Sequence, residues 1–148
     1  MLIELEVEGV GQDANGVPVV VLRDKPQGTR VLHIWIGVLE AAAIHLELEG
    51  HHPPRPMTHD LIQSIFDELS VRVGQLVICD MRDETYYAEL TLHQDGRERR
   101  LDCRPSDGIA IALRTQAPIF IPDELLSRVE HLEAGKGGFV VQGDQTIH

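Results

Sequence analysis

The chain has 148 residues, of which 43% are hydrophobic, so it matches one domain with enough apolar residues for a core without disulfides. Its formal net charge of -11 at pH 7 argues against a protein that binds nucleic acid passively through a broad basic surface. The N-terminus has no basic and apolar leader, and no apolar run approaches about 18 residues, so we expect a cytoplasmic protein without an export signal or a membrane span.

Nearly all of the positive charge is arginine, because Lys25 and Lys136 are the only lysines. The planar guanidinium group of arginine suits forked recognition of a carboxylate or a phosphate. A polyanion would therefore need a local arginine site, a metal ion or both.

The first third of the chain predicts three strands, at residues 2–10, 17–22 and 31–36. In the first strand, apolar residues alternate strictly with Glu4, Glu6 and Glu8, which is the period of a half-buried strand. Asn15-Gly16 predicts a tight turn between the first two strands.

The rest of the chain predicts four helices and a second group of strands. Helical spacing starts at Val38 and ends at Gly50, and a second helix, capped by Thr58, carries the apolar stripe Leu61, Ile62, Ile65, Phe66 and Leu69. The remaining elements are strands at 71–81, 86–93 and 98–103, a third helix opened by Pro105 and Ser106, a strand at 118–121, and a last helix capped by Asp123.

This order of elements predicts an α+β fold, with about four helices packed on a mixed, mainly antiparallel sheet. We place a single domain at residues 1–133 and a flexible C-terminal tail at residues 134–148, where no periodic pattern is sustained. The unpaired edges of such a sheet favour a homodimer.

Two segments of similar chemistry open the second and third helices: Arg55-Pro56-Met57-Thr58-His59-Asp60 and Arg104-Pro105-Ser106-Asp107. Each places an arginine, a hydroxyl group and an aspartate at a helix N-terminus, where unpaired N–H groups attract anions. Arg55, Thr58, Arg104 and Ser106 are therefore candidate phosphate-binding residues. The alternative is structural: Arg55 and Arg104 would pair with Asp60, Asp102 or Asp107 and hold the helices on the sheet.

Four carboxylates come from the ends of predicted elements: Glu40, Asp60, Asp102 and Asp107. Oxygen ligands that converge in this way are what Mg²⁺ or Mn²⁺ requires, so these residues are candidate metal ligands. For each residue taken singly, a helix cap or an ion pair is the competing interpretation.

His59 is the candidate general base or metal ligand, because it lies in the same six-residue segment as Arg55 and Asp60. Cys79 and Cys103 lack the spacing of a zinc or redox motif, and we expect reduced, buried thiols. The absence of a zinc signature, P-loop, nucleophile elbow or dinucleotide fingerprint excludes several common enzyme classes.

Taken in order, these residues resemble the bifunctional nuclease family, which is associated with DNase and RNase activity. The resemblance covers roughly residues 5 to 130. The matching segments are Ile36-Gly37, Glu40-Ala41, Pro54-Arg55-Pro56-Met57-Thr58-His59-Asp60-Leu61, Thr85-Tyr86-Tyr87-Ala88, Asp102-Cys103-Arg104-Pro105-Ser106-Asp107-Gly108-Ile109-Ala110 and Pro118-Ile119-Phe120-Ile121. The chain departs from the family where glycine is usual at Ser70 and Glu84, alanine or serine at Cys103, and alanine at Gly108.

The resemblance implies action on DNA or RNA, and the residue types favour the hypothesis of a metal-assisted phosphodiesterase. Arg55 and Arg104 would stabilise charge on the phosphate, His59 would position or deprotonate water, and Asp102 would join them as a catalytic carboxylate and metal ligand. The alternative function is a non-catalytic oligomeric module that binds a small anion, a nucleotide or a partner protein, and the acidic surface favours that interpretation.

Overall fold

The computed structural model describes the backbone of residues 1–135 and the side chains of residues 1–130. The strands are β1 Leu2–Gln12, β2 Pro18–Asp24, β3 Val31–Trp35, β4 Arg72–Arg82, β5 Thr85–Gln94, β6 Arg97–Cys103 and β7 Ile119–Pro122. The helices are α1 Val38–Leu48, α2 Thr58–Glu68, α3 Pro105–Thr115 and α4 Asp123–Gly135. The predicted α+β class and the predicted elements are confirmed.

One seven-stranded sheet contains all of these strands, in the order β3-β2-β1-β7-β4-β5-β6. Strand β7 lies between β1 and β4; it is antiparallel to β1 and parallel to β4, and β4–β7 is the one parallel pair among these strands. The hairpins that join β4 to β5 and β5 to β6 turn at Asp83-Glu84 and Asp95-Gly96, where all four residues have positive φ. Such left-handed pairs match the twist of antiparallel strands.

The hydrophobic core is formed by the sheet together with helices α1, α3 and α4, and α3 is the most deeply buried of these helices. Ile109, Ala110, Ile111 and Ala112 are all buried, so α3 is covered on most of its circumference. A Cβ atom at Gly108 would collide with Leu76 of β4 and lie 3.1 Å from Sγ of Cys103. Glycine at position 108 therefore permits the close approach of α3 to the sheet.

Helix α2 packs less completely than its apolar stripe predicts. Ile62 and Phe66 contact the core, but Leu61, Ile65 and Leu69 leave about half of their surfaces exposed. Helix α2 packs mainly against helix α3, which covers only one side of α2. An apolar surface is therefore left open on the outside of the protein.

No helix among the described residues is long and apolar enough to cross a membrane. Of the predicted tail, residues 134 and 135 form the end of α4, and the remainder lies outside the described residues.

Helices α1 and α2 end with the same arrangement of hydrogen bonds but with different residues at the left-handed position. Gly50 occupies that position after α1 with φ +65°, and Ser70 occupies it after α2 with φ +57°. After α2, the N–H groups of Ser70 and Val71 donate to the carbonyls of Asp67 and Phe66. This is a Schellman motif, in which glycine avoids the steric cost of the left-handed conformation.

We therefore predict that Ser70→Gly raises the free energy of unfolding by about 0.5–1 kcal/mol, because it removes this local strain. The matched control is Ser64→Gly, which places the same change in the middle of α2 and should lower stability by about 0.5 kcal/mol. Urea unfolding followed by circular dichroism measures both effects. A loss of stability in Ser70→Gly would contradict this account of the motif.

Candidate functional site

Three helices begin with an acidic residue at the same position of the first turn. Gly37, Met57 and Arg104 are the N-cap residues of α1, α2 and α3. Glu40, Asp60 and Asp107 follow each of them by three residues. Carboxylates are stabilised there by the positive end of the helix dipole. The helix dipole therefore accounts for the acidic residue that the sequence places near the start of each of these three helices.

The start of α3 is linked to the start of α2 through Asp107. Its Oδ2 accepts a hydrogen bond from Nε of Arg104 at 2.8 Å, and its Oδ1 lies 3.0 Å from Nε2 of His59. Burial tends to raise the pKa of Asp107, but the hydrogen bonds from Arg104 and His59 outweigh it, so the pKa is lowered. Asp107 is therefore ionised at neutral pH and holds a guanidinium and an imidazole together.

The start of α1 is joined to the same group through Glu40. Nη2 of Arg104 donates to Oε1 of Glu40 at 2.6 Å, and a Cβ atom on Gly37 would collide with that carboxylate. Hydrogen bonds to Asp107 and Glu40 raise the pKa of Arg104, which stays protonated. The Arg104 side chain is nevertheless 64% exposed, so its outer face is open to an anion.

The third carboxylate, Asp60, forms a different ion pair that the sequence analysis missed. Oδ1 of Asp60 accepts from Nε of Arg114 at 2.7 Å, and Oδ2 accepts from the N–H of Met57 at 2.9 Å. The Arg114 side chain is only 3% exposed, and it also donates to the carbonyl oxygens of Ala43 and Ala110. Its signal in the sequence is a charged residue that directly follows the apolar run from Ile109 to Leu113 in helix α3.

The other predicted site residues lie apart from this group. Arg55 is exposed, and Asp102 is exposed on β6 opposite Glu89; the side chain of neither residue forms a hydrogen bond or ion pair with the described residues. The predicted cap of α2 is wrong, because Thr58 lies in the first turn, one residue after the N-cap. Pro105 and Ser106 open α3 as predicted, and the Ser106 hydroxyl, two residues after the N-cap, does not cap the helix. The cap of α2 is instead supplied by the carboxylate of Asp60, which accepts from the N-cap N–H.

The predicted metal site is not preformed in the part of the chain that the structure describes, where no three His, Cys, Asp or Glu side chains form a group that could hold a metal ion. Glu40 and Asp107 do approach a common point, but the guanidinium of Arg104 fills it. As arranged, these residues do not fit a divalent cation, and the Mg²⁺ or Mn²⁺ requirement stays a prediction.

The two cysteines are free and half-buried rather than fully buried. Burial raises the pKa of both thiols, that of Cys103 to about 11. Each is a neutral thiol at physiological pH and is a poor nucleophile.

The ion pair between Asp60 and Arg114 gives a prediction about stability and pH. Asp60→Asn should lower the free energy of unfolding at pH 7 by about 3 kcal/mol, because it leaves the buried charge of Arg114 without its partner. Burial acts to raise the pKa of Asp60, but the bonds from Arg114 and Met57 lower it below its ordinary value of 3.8. The stabilisation is therefore complete above pH 3.8 and is lost as the pH falls through the lower pKa of the folded protein.

Denaturant unfolding of the wild type and Asp60→Asn at several pH values measures this difference, which should shrink in acid below about pH 4. The matched control is Asp67→Asn on the same helix, where an exposed side chain should contribute less than about 0.5 kcal/mol. Equal effects of the two substitutions at pH 7 would contradict a structural role for the ion pair.

Comparison with known proteins supports the resemblance seen in the sequence. The model of the bifunctional nuclease domain matches residues 20–133. An uncharacterised protein from two strains of Mycobacterium tuberculosis is 40% identical over 126 residues, which are 84% of this chain and 74% of that protein. Bifunctional nuclease 2 of Oryza sativa subsp. japonica is 29% identical over 69% of this chain, but over only 32% of its own length. The chain belongs to the bifunctional nuclease domain family.

Proposed function

We propose that this protein is a nuclease that hydrolyses phosphodiester bonds of DNA, RNA or both at the group formed by Arg104, Asp107 and His59. One observation carries the proposal: a single carboxylate, that of Asp107, holds an exposed arginine and a histidine side by side. Membership of the bifunctional nuclease domain family supports it.

Arg104 is the phosphate-binding residue in this proposal. Its Nε and Nη2 atoms are bound to Asp107 and Glu40, so the guanidinium is held in a fixed orientation while most of the side chain faces solvent. A guanidinium that is held in place before the reaction stabilises charge that develops on the phosphate without further reorganisation. The adjacent start of α3 adds the positive end of a helix dipole.

His59 is the proton-transfer residue in this proposal. Its Nε2 is engaged by Asp107, which orients the ring and leaves Nδ1 as the nitrogen that exchanges a proton with water or with the leaving group. The His59 side chain is only 10% exposed. Proton transfer therefore depends on water or substrate that reaches the imidazole beside Arg104.

The distribution of arginine reduces the conflict between an acidic protein and a polyanionic substrate. Arg97, Arg99 and Arg100 are exposed on edge strand β6, and this strand leads directly to Arg104. Arg100 is paired with Glu98 on the same strand, so Arg97 and Arg99 are the arginines that add positive charge along this edge in a chain whose net charge is -11. Local positive charge of this kind guides a polyanion to one part of an otherwise repulsive surface.

The test is cleavage of labelled single-stranded and double-stranded DNA and RNA by highly purified protein, with Mg²⁺, with Mn²⁺ and with EDTA. Arg104→Ala should reduce the cleavage rate by about 100-fold, because one preorganised donor to the phosphate is lost. The matched control is Arg82→Ala, which removes an arginine of similar exposure, also paired with an aspartate, at the tip of the β4–β5 hairpin. The control should retain full activity.

Cleavage that is equal in wild type and Arg104→Ala would assign the activity to a contaminant and contradict the proposal. No cleavage by the wild type under any of these conditions would also contradict it. Anion binding that still depends on Arg104 would then favour the non-catalytic module. Loss of activity in EDTA with recovery in Mg²⁺ or Mn²⁺ would establish the predicted metal requirement.

A further inference from the structure

The edge strand β6 carries two exposed arginines on the face of the sheet that also carries the helices. The side chain of Cys103 points to that face, because its Sγ would lie 3.1 Å from a Cβ atom on Gly108 of α3. Side chains alternate along a strand, so Leu101, Arg99 and Arg97 share this face. All three are exposed, and neither arginine forms an ion pair within the part of the chain that the structure describes.

Helix α2 runs beside β6 in the opposite direction. At the start of α2, Nε2 of His59 lies 3.0 Å from Oδ1 of Asp107, shortly after the end of β6. At the other end, the carbonyl of Leu69 accepts a hydrogen bond from Nε2 of Gln94 at 2.8 Å, and Gln94 pairs with Arg97, the first residue of β6. These two contacts hold α2 along the length of the strand, which is about 20 Å.

The side of α2 that faces away from α3 is apolar. Its polar contacts with α3 come from one side of the helix, through His59, Asp60 and Gln63. The opposite side carries three large residues at four-residue spacing that are each 46–58% exposed: Leu61, Ile65 and Leu69. Helix α3 packs over β4 and β5 and leaves β6 uncovered, since six of its seven residues are exposed.

An open surface strip therefore lies between α2 and β6. Its α2 side is apolar, and its β6 side contributes two arginines and a leucine. We refer to the following six residues as the α2–β6 strip: Leu61, Ile65, Leu69, Arg97, Arg99 and Leu101.

We propose that the α2–β6 strip binds a single strand of DNA or RNA and leads it to the candidate site. The strip ends at that site, because β6 continues directly into Arg104 and α2 begins beside His59. The position of the scissile phosphate rests on the proposed nuclease function. Binding along the strip does not require cleavage, so the two proposals can be tested separately.

The spacing of the arginines matches the backbone of such a strand. Arg97 and Arg99 are two residues apart on one face of β6, a separation of about 7 Å. Successive phosphates of an extended nucleic-acid strand are separated by a similar distance. Each arginine can therefore contact its own phosphate and release the counterions bound there.

The apolar side of the strip favours unpaired bases over a duplex. In a duplex the base faces are stacked on one another, so the outer surface offers phosphates, sugars and the edges of bases. A single strand exposes its base faces, which can pack on a protein surface while the backbone follows positive charge. The α2–β6 strip presents both kinds of contact side by side.

Fluorescence anisotropy of labelled single-stranded oligonucleotides, in EDTA to prevent metal-dependent cleavage, tests the two arginines. Arg97→Ala/Arg99→Ala should raise Kd about 20-fold at physiological salt and reduce the slope of log affinity against log salt by about 1.4, because two phosphate contacts are lost. The matched control is Arg72→Ala/Arg82→Ala, which removes two exposed arginines of β4 and should leave both values close to those of the wild type. DNA and RNA strands are measured separately.

Ile65→Gln tests the apolar side of the strip. Glutamine removes apolar contact without adding charge or lowering helix propensity, so Kd should rise about 5-fold while the salt slope stays that of the wild type. The matched control is Val17→Gln in the turn between β1 and β2, because the 40% exposure of Val17 is similar to the 46% of Ile65. The control should bind as the wild type does, and circular dichroism shows that each variant is folded.

Four results would overturn the proposed strip. They are wild-type Kd and salt slope in Arg97→Ala/Arg99→Ala, duplex binding as tight as single-strand binding, tighter binding of polyglutamate, and no oligonucleotide binding by the wild type. Polyglutamate carries repeated negative charge without bases, so its tighter binding would assign the strip to an acidic peptide. Strand binding that depends on the strip, in a protein that cleaves nothing, would support the strip and contradict the nuclease proposal. Cleavage that none of the strip variants affects would do the reverse.

Discussion

The arrangement of the helices depends on the buried guanidinium of Arg114. From α3 it donates to Asp60 at the start of α2, to the carbonyl of Ala43 in α1 and to the carbonyl of Ala110 in its own helix. A buried charge must satisfy its hydrogen-bond donors, so the three helices are held in one relative position in which all of these acceptors meet. The convergence of their N-termini, and with it the candidate site, follows from that constraint.

The site illustrates how similar local sequences take different roles according to burial. Asp60 and Asp107 occupy the same helical position, and each accepts from an arginine. Arg114 is buried, so the pair with Asp60 serves stability, whereas Arg104 is exposed, so the pair with Asp107 leaves a cation open to ligands. Of the pairs that the structural alternative named, the structure contains Arg104 with Asp107, whereas Asp60 pairs with Arg114 and not with Arg55.

Sequence patterns predicted the strands, the helices and the two helix-opening segments because periodicity and turn chemistry are local. The pairing of His59 with Asp107 joins residues 48 positions apart, and that of Glu40 with Arg104 joins residues 64 positions apart, so neither could be assigned from spacing. Arg114 was missed because a charged residue in an apolar helix is ordinarily interpreted as exposed. Position 70 could be identified from the resemblance. The family usually has glycine where this chain has Ser70, and the structure gives Ser70 a positive φ.

The central claim is that Arg104 receives phosphate while Arg114 only holds the helices together. Nuclear magnetic resonance of the arginine Nε–Hε groups, during titration with a dinucleotide that carries a non-hydrolysable phosphate linkage, observes both side chains in one spectrum. The account predicts that the Arg104 signal shifts with added ligand and that the Arg114 signal stays in place. Saturable binding that leaves Arg104 unchanged, or that shifts Arg114 instead, would contradict it.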